Sequence, residues 1–324
     1  FGKPFVITEF NFVKPNLYRA EGGPLIGAYS ALQDWDGLYR FAWSHSRNSV
    51  VGINPPTMFD AANDPLVQLS DRIAVLMFRR GDVEAAKEKY AIAVPDDLFD
   101  AGRMLSFSET PALLQLGLIA RIGSSAGDAP LPGGVFRLPF SATFNPRSTH
   151  NGRICGLWEK TVKNGIARSS TGQITLNSGA KTFAVTTPRS ESLTLPGGEL
   201  AGNRMRVYDA STFQTVAALS DDDLPLAESR SILLLQLTNL DNTAAHFGNT
   251  EFTLHRAHGH LPMLLRRGAA TVAIKSNVPF RVTALKTDGS ELGEIKGTFQ
   301  NGSFVFRADT AGFPGGVMAY HLTR

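Results

Sequence analysis

The sequence contains one cysteine, Cys155, in 324 residues, and it has no long apolar run. A single thiol can form neither an intrachain disulfide nor a thiolate metal cluster, and it leaves the cellular compartment open. No segment approaches the roughly 18–20 apolar residues that span a bilayer, and the first residues lack the basic and apolar stretches of a signal peptide. These absences predict a folded protein without a membrane partner.

The sequence also has little net charge. Lys and Arg number 32 against 29 Asp and Glu, which gives a formal net charge of +3. The basic residues are scattered, apart from pairs such as Arg79-Arg80 and Arg266-Arg267. Nucleic-acid binding usually requires a clustered basic stripe with interleaved aromatic residues. The sequence therefore predicts no nucleic-acid partner.

Length and sequence pattern predict two domains with a boundary near residue 82. A chain of 324 residues with 43% hydrophobic residues can build two cores. Residues 1–82 alternate short apolar runs with helical patterns, which is typical of β/α units. The predicted elements are a strand at 5–8, a helix at 24–35, a strand at 37–43 and a helix at 64–80.

The second region, residues 83–324, is predicted to be β-rich. Residues 89–94 fit a strand, and residues 108–122 fit a short helix or a buried strand. Further along, turn signals such as Asp288-Gly289 and Asn301-Gly302 recur at short intervals between β-type runs. Many short strands with hairpin turns predict an antiparallel β-sandwich.

Candidate chemistry lies at the ends of the first two predicted strands. Glu9 ends an apolar strand that begins at Lys3, and Trp43 ends the next strand. In parallel α/β barrels, catalytic groups lie at the C-terminal ends of strands. A carboxylate that attacks an anomeric carbon, together with an indole that stacks on a sugar ring, would form a sugar subsite. The nearby candidates for hydrogen bonds to substrate hydroxyls are Asn11, His45 and Arg47.

A family resemblance follows from these two segments. The pattern Gly-Lys-Pro-x-x-x-Thr-Glu at residues 2–9 resembles the seventh barrel strand of the clan A glycoside hydrolases, and residues 37–43 are similar to their eighth strand. The resemblance implies the last two β/α units of a (β/α)8 TIM barrel, followed by an antiparallel β-sandwich. It also implies a retaining double displacement on a poly- or oligosaccharide, with Glu9 as nucleophile, Trp43 in the cleavage subsite and no cofactor.

One part of that family pattern is missing. Retaining hydrolysis needs a second carboxylic acid about 5–5.5 Å from the nucleophile, and in the resembled family this acid follows an asparagine at the end of the fourth strand. No Asn-Glu pair occurs in the sequence. We therefore expect the N-terminal remainder of the barrel, in the same or a separate chain, as a partner, and this chain alone to be inactive. The start at Phe1, close to a predicted strand, likewise predicts a processed or truncated product.

Each candidate also has a structural interpretation. Glu9 could be a strand-end carboxylate paired with Lys3, Lys14 or Arg19, and Trp43 could be a core residue. At the level of function, the alternative is a non-catalytic carbohydrate-binding or scaffolding module that retains a barrel remnant.

The sequence also contains a histidine cluster, formed by His255, His258 and His260. Their spacing can bring imidazoles together, but no carboxylate or thiolate neighbour supports a metal site. The sequence therefore predicts a surface strand end at this position and no bound metal.

Overall fold

The computed structural model describes residues 1–100, 111–140, 151–250 and 252–324. The fold is mixed but rich in strands, with large antiparallel sheets. Among the described residues, no helix combines the length and the apolar character that crossing a membrane requires. The helices of these residues are the 3-10 turn Arg19–Glu21, α1 Gly22–Leu32, α2 Arg47–Val51, α3 Pro65–Phe78, α4 Asp96–Asp100, α5 Pro111–Gly117 and α6 Gly152–Asn164.

The strands of the described residues are β1 Val6–Phe10, β2 Gly37–Arg40, β3 Lys89–Val94, β4 Arg121–Ala126, β5 Val135–Pro139, β6 Ile166–Arg168, β7 Ile174–Asn177, β8 Thr182–Thr186, β9 Ser190–Leu195, β10 Gly198–Ala201, β11 Met205–Ala210, β12 Gln214–Ser220, β13 Ser231–Leu237, β14 Leu240–Thr243, β15 His246–Phe247, β16 His255–Ala257, β17 His260–Leu265, β18 Ala269–Lys275, β19 Arg281–Leu285, β20 Glu291–Ile295, β21 Gly297–Gln300, β22 Ser303–Asp309 and β23 Ala319–Thr323.

The chain divides into two compact units, each built from three segments. Unit 1 comprises Phe1–Val6, Ala28–Gly37 and Val83–Lys181. Unit 2 comprises Ile7–Gly27, Leu38–Asp82 and Thr182–Arg324. Unit 2 therefore combines segments from both sides of residue 82. The domain boundary inferred from the sequence at that residue stays a prediction.

β1 and β2 are neighbours in a two-stranded sheet. The backbone N–H of Asp36 donates to the carbonyl of Phe5 (2.8 Å), and that of Phe41 donates to the carbonyl of Phe10 (3.0 Å). Both segments advance by five residues in the same direction between these two bonds, so the strands run parallel. The two strands predicted for this region are confirmed, but β2 ends at Arg40, so Trp43 lies beyond the strand and not at its last residue.

In unit 2, the first turns of α1 pack directly on α3 through two glycines. A Cβ added to Gly23 would lie 1.8 Å from the carbonyl oxygen of Ser70. A Cβ added to Gly27 would lie 2.6 Å from the Cα of Ala74. The N–H of Gly23 also donates to Ser70 Oγ at 2.8 Å. Only residues without a side chain permit backbones to approach this closely.

The sequence predicts the start and end of α3 correctly. The Asp64 carboxylate accepts a hydrogen bond from the N–H of Val67 (3.3 Å), and Pro65 occupies the first turn. Gly81 follows the helix with a φ of 72°, a conformation that favours glycine. The predicted helix is therefore confirmed, and its buried apolar residues are Leu66, Val67, Ile73, Ala74, Leu76 and Met77.

Unit 1 contains a three-stranded parallel sheet in the order β4-β3-β5. Lys89 of β3 pairs with Arg121 of β4 and with Val135 of β5. The strand predicted at 89–94 is confirmed, and residues 111–122 form α5 followed by the start of β4, whereas 108–110 lie outside the described residues. The parallel pairing was not predicted, since hairpin signals indicate antiparallel neighbours. The buried core of this region contains Tyr90, Leu113, Leu116, Ile119, Ala120, Leu138 and Ile154.

Unit 2 holds two large antiparallel sheets, in addition to the two-stranded antiparallel sheets β14-β17 and β15-β16. One has the order β10-β11-β18-β22-β21, and in the other the strands β20-β19-β23-β13-β12-β9-β8 lie side by side. A single apolar cluster takes residues from both sheets, for example Val272 and Phe306 from the first and Leu234 from the second. The hairpin predicted at Asn301-Gly302 is confirmed, because both residues have positive φ and they connect the paired strands β21 and β22.

Candidate functional site

Glu9 is an exposed residue of β1 in unit 2. Its carboxylate forms no hydrogen bond or ion pair with the described residues. Lys14 and Arg19, which the sequence offers as partners for it, pair instead with the buried carboxylate of Asp64. Within the described residues, the carboxylate of Glu9 therefore remains open to a ligand.

Trp43 lies in a segment whose backbone pairs with residues 59–62. Ala42 donates its N–H to the carbonyl of Phe59 (3.1 Å) and accepts from the N–H of Ala61 (3.0 Å). The carbonyl of Trp43 accepts from the N–H of Ala62 (2.8 Å). The indole itself is 58% exposed, so it does not fill a core in this structure. The backbone is thus held in place while the ring faces solvent.

Asn11 connects the end of β1 to the residues that follow β2. Its Nδ2 donates to the carbonyl oxygens of Phe41 (2.6 Å) and Phe59 (2.9 Å). Its Oδ1 accepts from Nη1 of Arg40 (2.7 Å). Both ends of the amide are therefore engaged within the protein, and they hold the two strand ends together. A contact from Asn11 to substrate stays a prediction.

Arg40 joins this arrangement to α3, and sequence reasoning did not identify it. Its guanidinium pairs with the carboxylate of Asp71 and lies over the ring of Phe10, 5.2 Å from the centroid. Burial raises the pKa of the Asp71 carboxyl, and the positive charge of Arg40 partly offsets this effect. Arg40 thus connects Asn11, after the end of β1, to Asp71 of α3.

His45 is anchored by a buried carboxylate. One oxygen of Asp60 lies 2.7 Å from His45 Nδ1 and also accepts from the His45 backbone N–H (3.0 Å). The other oxygen accepts from the hydroxyl of Thr57 (2.9 Å). Burial alone would raise the pKa of Asp60, but the hydrogen bonds from His45 and Thr57 outweigh it and lower the pKa below its usual value. Because an ionised carboxylate only accepts, the Nδ1 of His45 carries the proton.

The imidazole of His45 lies against two phenylalanine rings. Its centroid is 5.1 Å from that of Phe41 and 5.9 Å from that of Phe59. The side chain nevertheless remains 46% exposed. With Nδ1 occupied by Asp60, the second nitrogen, Nε2, is the one that can meet a ligand.

Arg47 is the exposed first residue of α2, after the cap formed by Ser46. Of the residues predicted from the sequence, the structure brings Asn11 and His45 together, since both contact Phe41 and Phe59. Glu9, Trp43 and Arg47 are exposed in the same unit. Sequence reasoning missed Asp60, because its contact with His45 depends on the return of the intervening loop and has no local signal.

The histidine cluster is held by contacts between aromatic rings. The rings of His255 and His258 meet edge to face at 4.4 Å, and His255 stacks on Phe247 at 5.4 Å. Burial, followed by the charge of His258, lowers the pKa of His255. Nδ1 of His260 lies 2.8 Å from the carbonyl of Leu261. In the part of the chain that the structure describes, no three His, Cys, Asp or Glu residues are grouped so that they could hold a metal ion.

As candidate groups, the structure offers an exposed carboxylate on β1, an exposed indole after β2 and an imidazole fixed by a buried carboxylate. Comparison of the chain with family models, with curated proteins and with solved structures finds no match.

Proposed function

We propose that this chain is the C-terminal part of a retaining glycoside hydrolase. In this proposal residues 1–82 supply the last two β/α units of a (β/α)8 barrel, and an antiparallel β-sandwich follows. The observation that carries it is the pair of parallel strands: β1 bears the exposed carboxylate of Glu9, and β2 leads into the exposed indole of Trp43. Catalytic groups of such barrels lie at this end of the strands.

The proposed chemistry has two steps. In the first, the carboxylate of Glu9 attacks the anomeric carbon, and the glycosidic bond breaks as a carboxylic acid protonates the leaving oxygen. In the second, the same acid, now a base, takes a proton from water, and the hydroxide oxygen displaces Glu9 from the sugar. Glu9 returns as a carboxylate, and the product keeps its anomeric configuration.

The other exposed groups have supporting roles in this scheme. The indole of Trp43 offers a face on which the C–H face of a sugar ring can stack. His45, with its Nδ1 held by Asp60, can present Nε2 to a sugar hydroxyl. Arg47 is exposed and can donate to substrate hydroxyls as well. Asn11 acts on the site through the backbone that it holds.

The proposal includes a partner, namely the remaining β/α units of the barrel in the same or a separate chain. Two parallel strands cannot close a barrel, and parallel sheets are normally covered on both faces. The exposure of three large side chains on or beside these strands, Phe5 (51%), Val6 (41%) and Tyr39 (61%), supports such a cover. The acid that protonates the leaving group would also come from those units.

The β-sandwich is the second architectural part of the proposal. Its support is the apolar cluster that includes residues from both large antiparallel sheets of unit 2. Side chains from two facing sheets form a common core in sandwiches of this kind.

The proposal is tested with a protein that combines this chain with the remaining units of the barrel. We expect it to release reducing ends from a β-linked polysaccharide, and we expect NMR of the first product to show retained anomeric configuration. Release of the inverted anomer would contradict double displacement. Absence of hydrolysis across a panel of plant and microbial polysaccharides would favour the non-catalytic carbohydrate-binding alternative.

Replacement of Trp43 by alanine tests the sugar platform. We expect Trp43→Ala to weaken the binding of an oligosaccharide substrate by roughly 1–3 kcal/mol, because a stacking contact and its buried area are lost. Isothermal titration calorimetry measures the change. Phe136→Ala, which removes a similarly exposed aromatic ring from β5, is the control and should leave affinity unchanged. Equal affinities for all three proteins would exclude Trp43 from the subsite.

A further inference from the structure

The outer face of the five-stranded sheet of unit 2 contains a cavity of about 280 Å³. We call it the basic trough, and its principal lining residues are Arg204, Arg206, Tyr208, Lys275, Gln300 and Ser303. None of these residues belongs to the site around Glu9. The trough is therefore separate from that site, and a ligand bound there need not be a substrate of the proposed hydrolase.

Strand register explains the shape of the trough. Arg206 of β11 pairs with Ala273 of β18, and Lys275 of β18 pairs with Ser303 of β22. The neighbouring residues Val272 and Ile274 are in the core, so side chains at the alternate positions point to the outer face. Small residues therefore form the floor, while long basic side chains rise at its edges. The depression between these side chains is the basic trough.

The charges that line the trough are all positive. Arg204, Arg206 and Lys275 contribute three cations, and no Asp or Glu is among the described residues that line the cavity. Nζ of Lys275 donates to the carbonyl of Asn203 (2.8 Å), and an ammonium group has three donors in total. Arg206 pairs with Glu199, but both side chains are more than half exposed, so a ligand anion can compete with this weak pair.

A buried carboxylate holds the turn that carries Arg204. Glu191 accepts hydrogen bonds from the backbone N–H groups of Asn203 (2.9 Å), Arg204 (2.8 Å) and Met205 (2.9 Å). A Cβ added to Gly202 would lie 2.3 Å from Glu191 Oε2, so the turn closes tightly on this carboxylate. A turn held in this way loses little conformational entropy when a ligand binds.

We propose that the basic trough binds an acidic glycan. The cations suit carboxylate or sulfate groups, and the amide of Gln300 together with the hydroxyl groups of Tyr208 and Ser303 suits sugar hydroxyls. Single-stranded nucleic acids bind instead through successive stacked aromatic rings. The trough offers one such ring among the described residues, and the guanidinium of Arg206 already lies over it at 5.2 Å. A glycan is therefore the polyanion that the geometry favours.

The glycan-binding proposal goes beyond the hydrolase proposal and is tested by binding alone. Failure of the glycan-binding proposal would therefore leave the hydrolase proposal standing, and the reverse also holds. Biolayer interferometry would measure binding of the protein to immobilised polygalacturonate, dextran sulfate, neutral dextran and single-stranded DNA near physiological ionic strength. We expect binding to polygalacturonate or dextran sulfate and none to neutral dextran. The comparison of the two acidic polymers distinguishes a carboxylate from a sulfate ester as the recognised anion.

A double substitution in the trough provides the specific test. We expect Arg206→Gln with Lys275→Gln to lower the affinity for the acidic polymer at least about tenfold, because two charge-assisted contacts are lost. Arg281→Gln is the matched control, since Arg281 is an exposed strand residue paired with Glu294 in the other sheet, and it should retain affinity within about twofold. An equal loss in the control, tighter binding to DNA, or no binding to either acidic polymer would overturn the proposal.

Discussion

In the proposed hydrolase, replacing Glu9 by glutamine is expected to lower turnover by at least about a thousandfold, because the amide cannot form the covalent glycosyl intermediate. Steady-state release of reducing ends measures the effect. The fold should persist, since the carboxylate of Glu9 is exposed and forms no ion pair with the described residues. Circular dichroism and the thermal midpoint check this point.

The control for this experiment is Glu291→Gln, which neutralises another exposed strand carboxylate, in β20. It should leave turnover unchanged. A rate for Glu9→Gln within a few fold of the unmodified protein would remove Glu9 from the proposed mechanism. Loss of activity together with loss of folding would assign it a structural role instead.

Replacing Asp64 by alanine is expected to reduce the free energy of unfolding by about 3–5 kcal/mol, because buried Arg19 loses its carboxylate partner and buried Lys14 retains only the more distant Asp241 (4.0 Å) among the described residues. Asp64 pairs with Arg19, and its Oδ2 lies 3.6 Å from Nζ of Lys14. All three side chains are almost fully buried. Burial lowers the pKa of Lys14, and the charge of Asp64 is the main opposing effect. Urea denaturation of the chain measures the loss.

Two further variants separate the contributions of Asp64. Asp64→Asn keeps a side-chain oxygen to cap α3 but removes the charge, so we expect it to remain clearly destabilised. Asp221→Ala breaks the Arg72–Asp221 pair, in which both side chains are about half exposed, and should cost less than about 1 kcal/mol. If Asp64→Ala and Asp221→Ala lowered the free energy of unfolding equally, the buried pairs of Asp64 would contribute no more stability than an exposed pair.

Local signals predict part of this fold. The cap at Asp64, the proline in the first turn and the glycine after the last turn define α3 without any knowledge of the rest of the chain. The Asn301-Gly302 hairpin is equally local. The parallel sheet of unit 1 is different, because its strands meet across long connections whose pairing no short pattern encodes.

The candidate site likewise has parts that local sequence predicts and parts that it does not. A strand that ends near a carboxylate can be recognised from sequence, and this identified Glu9. The contacts of Asn11 with Phe41 and Phe59 join residues that are 30 and 48 positions apart, and the bond between His45 and Asp60 requires a loop to fold back. These partners were not predictable, because tertiary structure alone brings them together.

Unit 2 is built from segments that lie far apart in the sequence, and this affects how fast it folds. Its buried Arg19 donates to the carbonyl of Leu240 at 2.8 Å, across 221 residues of chain. Its last strand, β23, lies between β13 and β19. Contacts of such high sequence separation slow folding, because the chain must close large loops before they are formed. During synthesis, the segment around Arg19 therefore reaches this native contact only after residue 240 has emerged from the ribosome.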